Sequence, residues 1–280
     1  EFRHMAADHP WVLGCDFSSS PQARKPVVIA LGRLNGTRVR LHEIHTFASL
    51  SDWQAWLSQP ADWVGGFDLP FGLPRELIAH LGWPTDWPAC MDHYATLSRE
   101  HIRATFKAFC DARPVGQKMA HRATDGPAGS SPSMKWVNPP VAYMLHAGVP
   151  ALRRAGVNLP GLQVGDPRRV ALEAYPGLLA RELIGKASYK SDDKAKQTPE
   201  RWVARSDLLQ KLELGQTRLG LRLQSGNALR EQLLNDPQGD VLDAVLCMVQ
   251  SAWALQQHQA GHPRFGLPDF DPLEGWIVSA

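Results

Sequence analysis

The sequence predicts an α/β domain built on a mixed five-stranded sheet with flanking helices, and two patterns lead to this prediction. Short apolar runs bounded by turn residues recur in the first quarter of the chain, which is typical of strands. Helical periodicity dominates the remainder and is clearest over residues 239–257. At 280 residues the chain is long enough for one large domain. We expect a single domain over residues 5–280, with an insertion of helices and loops at about 75–150.

The first elements follow an order that brings two strand ends together. Strands are expected at 12–17, 26–34 and 37–47, the last two joined by Asn35-Gly36, which strongly favours a tight hairpin turn. A helix around Trp53 and Trp56 then leads to a fourth strand that ends at Asp68. A right-handed crossover would place this fourth strand parallel to the first and beside it. Asp16 and Asp68 are therefore expected at the same edge of the sheet.

Helices and one further strand are predicted after this point. Prolines in the stretch that follows Asp68 end the fourth strand, because proline cannot continue the hydrogen-bonded ladder. The fifth strand is expected at 169–174, giving the order strand–strand–strand–helix–strand–helix–strand. Residues 111–140 are rich in Gly, Pro and Ser and predict a long loop or a partly ordered insertion. Helices are predicted at 75–81, 94–110, 141–146, 178–184, 199–212, 228–234 and 239–257, and a short terminal strand at 275–278.

Composition is typical of a soluble globular enzyme and excludes several other classes. The net charge of +2 gives no strong overall field, so attraction to nucleic acid would have to come from a local basic patch. The four cysteines are scattered and predict reduced thiols in a cytoplasmic protein. No secretory signal or membrane-length apolar stretch is present, so no membrane partner is expected. Residues 1–4 resemble a cloning remnant before a native Met5.

Four aspartates carry the strongest functional signal. Asp16 and Asp68 end apolar strands, and Asp240 and Asp243 lie three residues apart at the start of the apolar 239–257 helix. Carboxylates in apolar surroundings are costly to bury unless a cation compensates them. Carboxylates from separate elements often converge on divalent metal ions that catalyse phosphoryl transfer. The arrangement indicates metal-dependent cleavage of a phosphodiester.

The expected sheet and five short motifs resemble the family known as domain of unknown function 429, predicted nucleases of the ribonuclease H-like fold. The resemblance implies Mg²⁺ or Mn²⁺ as cofactor and nucleic acid as partner. It implies four metal ligands: Asp16, Asp68, Asp240 and Asp243. The matching motifs are Gly14-Cys-Asp-Phe-Ser-Ser, Gly66-Phe-Asp-Leu-Pro-Phe-Gly-Leu-Pro, Glu173-Ala-Tyr-Pro, Asp240-Val-Leu-Asp-Ala and Glu274-Gly-Trp-Ile.

The mechanism expected from these residues is hydrolysis assisted by two metal ions. Asp16 would bridge the ions, with Asp68 on one side and Asp240 and Asp243 on the other. Glu173, in the fifth strand, is a further candidate catalytic residue, acting as a ligand or a base. The alternative for Glu173 is an ion pair with a buried arginine. The predicted catalytic residues are Asp16, Asp68, Asp243 and Glu173.

Contacts to the substrate phosphate are predicted from basic and hydroxyl side chains. Lys194 and Lys190 belong to a basic stretch after the fifth strand, which alternatively forms only a solvated surface. Ser18 and Ser19 follow Asp16 in a turn that resembles a hydroxyl-lined phosphate loop. DNA, RNA and small nucleotides all remain open as substrates. Two other functions remain open: an actin-like or sugar-kinase-like phosphotransferase that binds ATP, and a non-catalytic nucleic-acid-binding module.

Overall fold

One mixed seven-stranded sheet organises the protein in the computed structural model, which describes residues 9–280. The sheet order is β5-β6-β4-β1-β2-β3-β7. The predicted cloning remnant and the predicted domain start at Met5 lie outside the described residues. The strands are β1 (Trp11–Asp16), β2 (Val27–Asn35), β3 (Arg38–Phe47), β4 (Trp63–Asp68), β5 (Val157–Asn158), β6 (Asp166–Glu173) and β7 (Arg222–Gln224).

The register between β1 and β4 confirms the predicted neighbourhood of two aspartates. The two strands are parallel, and Asp16 is paired with Asp68 at their carboxyl ends. β2 and β3 form the predicted antiparallel hairpin beside β1. β6 is parallel to β4 on the other side, with Glu173 in register with Phe67. The carboxyl ends of β1, β4 and β6 therefore share one edge of the sheet.

The number of strands differs from the prediction of five. β5 and β7 contain two and three residues, which is too short to produce a recognisable alternation of apolar and polar side chains. They extend the sheet at its two edges through parallel pairing with β6 and β3. The predicted terminal strand at 275–278 is also wrong, because this segment makes only one isolated bridge, between Ile277 and Glu173.

Helices account for most of the remaining residues. The predicted helix at 94–110 is two helices, because Ser98 caps the second one by accepting a hydrogen bond from the amide of His101. The 111–140 stretch, predicted as a loop, contains one short helix. The helices are α1 (Leu50–Leu57), α2 (Arg75–Leu81), α3 (Trp87–Ala95), α4 (Arg99–Asp111), α5 (Asp125–Ala128), α6 (Val141–Arg154), α7 (Pro176–Ile184), α8 (Pro199–Glu213), α9 (Asn227–Leu234) and α10 (Asp240–Gln259).

The sheet separates two apolar cores. One core includes Leu13, Phe67 and side chains of α1 to α4 and α6, and the other includes Val12, Val64 and side chains of α7 to α10. Alternate residues of each strand enter opposite cores, as the pleat requires. All four cysteines are buried with free thiols. None of the helices within residues 9–280 has the length and apolar character needed to cross a bilayer.

Helix α10 lies against β1 and β4 at a distance that only glycine permits. A Cβ atom on Gly14 would lie 1.9 Å from the carbonyl oxygen of Ala244 in α10. One on Gly66 would lie 2.7 Å from the carbonyl oxygen of Cys247. Asp16 and Asp68 follow these glycines by two residues, so they leave the same face of the sheet toward α10. The glycines thus bring the helix to the face that carries the aspartates.

This packing predicts the effect of adding one methyl group at Gly14. The Gly14→Ala substitution should lower the free energy of unfolding by about 1–3 kcal/mol or more, because the backbone of α10 must move away. Chemical denaturation monitored by tryptophan fluorescence measures this change. The matched control is Gly126→Ala, where an added Cβ has no neighbour within 4 Å. Equal stability of the two variants would contradict the close packing of α10.

Candidate active site

Four carboxylates converge where α10 begins above the ends of β1 and β4. Asp16 and Asp68 are the terminal residues of the two paired strands. Asp240 and Asp243 belong to the first turn of α10 and lie on one side of it, because residues three apart share a helix face. Asp16, Asp240 and Asp243 are buried, and Asp68 is partly buried. The structure therefore brings together all four aspartates identified in the sequence, in a group we call the carboxylate cluster.

Burial and mutual repulsion raise the pKa values of Asp16, Asp68 and Asp240. Burial is the main cause for Asp16, whose pKa lies well above its ordinary value, and the charges of Asp240 and Asp243 add to the increase. For Asp68, burial and then the charge of Asp243 raise the pKa to about 7. Burial also raises the pKa of Asp240, although its hydrogen bond with Lys25 opposes the shift. The cluster thus has unfavourable negative charge that a cation would relieve.

Two lysines and one tyrosine compensate part of this charge. The ammonium group of Lys190 contacts Oδ2 of Asp243, and the hydroxyl of Tyr189 donates to Oδ1 of the same carboxylate at 2.5 Å. Lys25 donates to Oδ1 of Asp240 at 2.8 Å. Burial alone would lower the pKa of Lys190, but the charges of Asp243 and Asp16 raise it above its ordinary value. Lys190 is therefore a cation held within the cluster.

The chemistry of the cluster fits a divalent ion, but its present arrangement is not a formed metal site. Within residues 9–280, no group of three or more His, Cys, Asp or Glu side chains is placed so that it could hold a metal ion. Carboxylate oxygens are nevertheless the ligands that Mg²⁺ and Mn²⁺ prefer. Oxygens of Asp243 and Asp240 are engaged by Lys190 and Lys25. Ion binding would require these contacts to change, and the four predicted ligands remain a prediction.

Glu173 forms a buried ion pair instead of joining the cluster. Arg122 donates to both of its carboxylate oxygens at 2.7 Å, and the amide of Phe71 donates to Oε1 at 2.9 Å. Glu173 is in register with Phe67, so its side chain leaves the face of the sheet opposite to that of Asp68. Of the two roles considered from the sequence, the contacts favour the ion pair with a buried arginine over the ligand or base.

Arg122 also ties the 111–140 segment to the end of the chain. Its guanidinium group contacts Asp125 at 3.2 Å and the backbone oxygen of Glu274 at 3.1 Å, in addition to Glu173. The amide of Val278 donates to the backbone oxygen of Glu173. Three distant parts of the sequence therefore meet at one guanidinium group beside the cluster.

The predicted phosphate contacts differ in how close they lie to the cluster. Lys190 touches Asp243, as described above. Lys194 is exposed in a short 3₁₀ helix, Lys194–Lys196, and no contact in the described residues joins it to the cluster. Ser18 and Ser19 are partly exposed directly after β1, and the backbone oxygen of Ser19 accepts a hydrogen bond from Arg99. Of the four predicted phosphate contacts, Lys190 is thus the one that directly touches the carboxylate cluster.

Two residues that contact the aspartates, Lys25 and Tyr189, were missed in the sequence. The sequence indicates a third residue, Arg122, only as one of several basic residues in the long loop that could hold a nucleic-acid strand or form a solvated surface. Lys25 is an isolated lysine in the turn before β2, and Tyr189 lies in the polar segment after α7. Arg122 falls within a stretch without periodicity. The one available signal was indirect: buried carboxylates imply nearby cations, but they do not say which lysine or arginine supplies the charge.

A cavity of about 380 Å³, which we call the side cavity, adjoins the cluster. Asp68 and Lys190 belong to its lining, together with Arg122 and Glu173. Apolar and aromatic residues from the turn after β4, from α6 and from the start of α7 form much of the remaining wall. The cluster is therefore reached beside a concave surface that can accept a small molecule or part of a larger one.

Comparison with known proteins identifies a family but no characterised relative. The family model described as "Protein of unknown function (DUF429)" matches residues 14–264, and the chain belongs to this family. The match includes all four aspartates and ends before the Glu274-Gly-Trp-Ile motif. No curated protein matches the chain, and no solved structure matches it.

The Arg122 contacts predict a large loss of stability on substitution. Arg122→Met should lower the free energy of unfolding by about 3–5 kcal/mol, because Glu173 and Asp125 would remain buried without their cation. Urea denaturation measures the loss. The matched control is Arg103→Met on the exposed side of α4, which should change stability by less than about 0.5 kcal/mol. A similar small effect at Arg122 would contradict the structural role of its ion pairs.

The raised pKa of Asp68 predicts a specific pH dependence of stability in metal-free buffer. An unfolded aspartate titrates near pH 4, whereas Asp68 in the folded protein titrates at about 7. Between these values the folded state holds a proton that the unfolded state has released. The free energy of unfolding should therefore fall as the pH rises from about 5 to 7.

Urea denaturation at several pH values, with a chelator present, tests this dependence. Asp68→Asn removes the titrating group, so its stability should fall less steeply over the same pH range. Groups away from the cluster contribute equally to the two proteins and cancel in the comparison. Loss of the Asp68 charge also lowers the raised pKa of Asp16, which flattens the profile of the variant further. Parallel pH profiles would show that Asp68 does not titrate in this range.

Proposed function

We propose that this DUF429 protein is a Mg²⁺- or Mn²⁺-dependent nuclease that hydrolyses phosphodiester bonds. The observation that carries the proposal is the register pair Asp16–Asp68, covered by the first turn of α10 with Asp243. Burying several carboxylates together destabilises a folded protein, because each one raises the cost of ionising the others. Such groups of carboxylates are typical of sites that act on charged substrates through bound cations.

The carboxylates supply ligands from three separate elements. In the proposed site, Asp16 and Asp68 would hold a divalent ion from the ends of β1 and β4, and Asp240 and Asp243 would contribute ligands from α10. Such ions, when bound, lower the pKa of a coordinated water and offset the charge on the leaving oxygen. The rigid pairing of β1 with β4 fixes the separation between the first two ligands. No protein nucleophile is needed for this chemistry.

Lys190 has two connected roles in the proposal. Without a divalent ion it neutralises Asp243, which lowers the energetic cost of burying the carboxylate cluster. With the carboxylates occupied, its ammonium group becomes available to a substrate phosphate. Ser18, Ser19 and Lys194 are the further candidates for phosphate contacts, and they lie after β1 and beyond Lys190. Glu173 has a positioning role in this scheme. Its ion pair with Arg122 holds the end of β6 beside the end of β4, where Asp68 lies.

The central part of the sheet supports a ribonuclease H-like fold as the basis of this activity. The strands β3-β2-β1-β4-β6 are adjacent in that order, with β2 antiparallel and β4 and β6 parallel to β1. The resemblance of the sequence to predicted nucleases of that fold concerns the same strand ends and the same helix. In this view β5 and β7 are additions at the two edges.

A phosphotransferase and a non-catalytic binding module make different predictions. ATP should stabilise a phosphotransferase against thermal unfolding, whereas a nuclease of the proposed kind needs only the divalent ion. A binding module should retain nucleic-acid binding and biological effect after Asp16→Asn. The proposed nuclease should lose turnover with that substitution, because a ligand from β1 is removed.

The proposal predicts metal-dependent stabilisation that requires the paired strand ends. Mg²⁺ or Mn²⁺ at a free concentration 100 times its Kd should raise the free energy of unfolding by about 2.7 kcal/mol. Thermal unfolding of the wild type in a metal titration measures this gain. The double variant Asp16→Asn with Asp68→Asn should show no gain over the same range.

The control for this titration is a matched removal of exposed carboxylate charge. Asp269→Asn alters a fully exposed side chain and should leave the metal response unchanged. The same proteins are then tested for cleavage of single-stranded and double-stranded DNA and RNA. A wild type that neither responds to the metals nor cleaves any of these substrates would refute the nuclease assignment.

A further inference from the structure

The side cavity and the carboxylate cluster share two residues of opposite charge. Asp68 and Lys190 line the cavity and also belong to the cluster or contact it. A phosphate held at these two residues would therefore carry its next chemical group toward the cavity. The cavity thus has a defined position relative to the proposed reaction.

The walls of the side cavity suit a flat, largely apolar group with polar edges. Leu69, Val141 and Met144 provide aliphatic and thioether surface, and Tyr175 provides an aromatic ring. Tyr175 is only partly buried, and its hydroxyl has no hydrogen bond with the described residues. Aromatic rings with this exposure are the surfaces on which unpaired bases stack.

One buried donor in the lining is without a partner. Arg122 is almost completely buried, and its Nε atom makes no hydrogen bond in the described part of the chain, although both terminal nitrogens are engaged. Leaving a buried charged donor unpaired is costly. This atom is not exposed to the cavity, so Arg122 forms part of the wall and its unpaired donor is not a contact for the ligand.

The size of the cavity limits its occupant. A volume of about 380 Å³ lies near the lower end of small-molecule sites, which span roughly 300–1,000 Å³. It has room for one base with its sugar, and a base inside a duplex is already stacked on its neighbours and cannot lie on the ring of Tyr175. The near-neutral net charge of +2 likewise gives no strong overall field that would attract a long duplex.

We propose that the side cavity binds one unpaired nucleoside unit of the substrate, with its base against Tyr175 and its phosphate beside Lys190 and Asp68. This inference rests on the proposed nuclease function and specifies its substrate class. The nucleoside comes either from the unpaired part of a nucleic acid or from a free nucleotide, since both present the same group. An intact base pair does not enter, so duplex is a substrate only where a base is unpaired or extruded.

Binding of nucleoside monophosphates tests the cavity without requiring turnover. Titration calorimetry in Mg²⁺ compares adenosine and uridine 5′-monophosphates with ribose 5-phosphate, which has the phosphate but lacks the base. We expect both monophosphates to bind the wild type at least about tenfold more tightly than ribose 5-phosphate. Equal affinities would overturn the proposal, because the phosphate alone would then account for binding.

Two variants locate the binding site. Val141→Trp fills the cavity and should weaken monophosphate binding roughly tenfold or more, and Val115→Trp makes the same change at an exposed site as the matched control. Tyr175→Ala removes the aromatic ring and should weaken binding by at least about fivefold. If Val141→Trp does not fold, Tyr175→Ala provides the test. Unchanged binding in the folded cavity variants would overturn the proposal.

Further experiments distinguish a nucleic-acid strand from a free nucleotide as the source of the nucleoside. They also separate failure of the nuclease function from failure of the cavity assignment. A single-stranded oligonucleotide that displaces the monophosphate identifies a nucleic-acid strand, and displacement failure identifies a free nucleotide. Either result supports the cavity assignment. Base-dependent binding that is lost in the cavity variants, without any metal-dependent cleavage, would sink the nuclease function alone. Cleavage within the paired stem of a duplex closed by loops at both ends, as fast as cleavage of a single strand, would sink the cavity proposal alone.

Discussion

The close contact between α10 and the sheet is the constraint on which the rest of the site depends. Gly14 and Gly66 let the helix backbone reach β1 and β4 at distances that any side chain would prevent. The same strands end two residues later in Asp16 and Asp68, on the face that the helix covers. A small residue and a carboxylate, repeated on two neighbouring strands, thus define both the position of the helix and the charge beneath its first turn.

Placing four carboxylates beneath one helix end creates an electrostatic problem that the protein resolves with lysines. Lys190 and Lys25 contact the two aspartates of α10, and the hydroxyl of Tyr189 completes the contacts of Asp243. These partners come from a turn before β2 and from the segment after α7, so the cluster is neutralised by parts of the chain that are distant in sequence. In the proposed function, a bound divalent ion would take over part of the charge compensation that these lysines supply, which connects the stability of the cluster to its proposed chemistry.

A second buried ionic centre gives the neighbouring region its shape. Arg122 joins Glu173, Asp125 and the backbone near the end of the chain, and this group forms one side of the cavity beside Asp68. The segment without periodicity is therefore held by charge and hydrogen bonds instead of by a repeating apolar face. The site and the cavity consequently rest on two different kinds of interaction, close backbone packing on one side and a buried ion pair on the other.

Sequence patterns were enough to predict the α/β class, the hairpin at Asn35-Gly36, the long helix at 239–257 and the adjacency of Asp16 and Asp68. The helix and the hairpin follow from periodicity and turn chemistry, which depend on neighbouring residues, and the adjacency follows from the general handedness of crossovers. Three features emerged only on folding: the seven strands of the sheet, the identity of Arg122 as the partner of Glu173, and the compensation of the aspartates by Lys190 and Lys25. Strands of two or three residues carry no periodic signal, and the partner of a buried charge is chosen by long-range packing. The carboxylates of the site could therefore be predicted from the sequence, whereas the basic residues that pair with them could not.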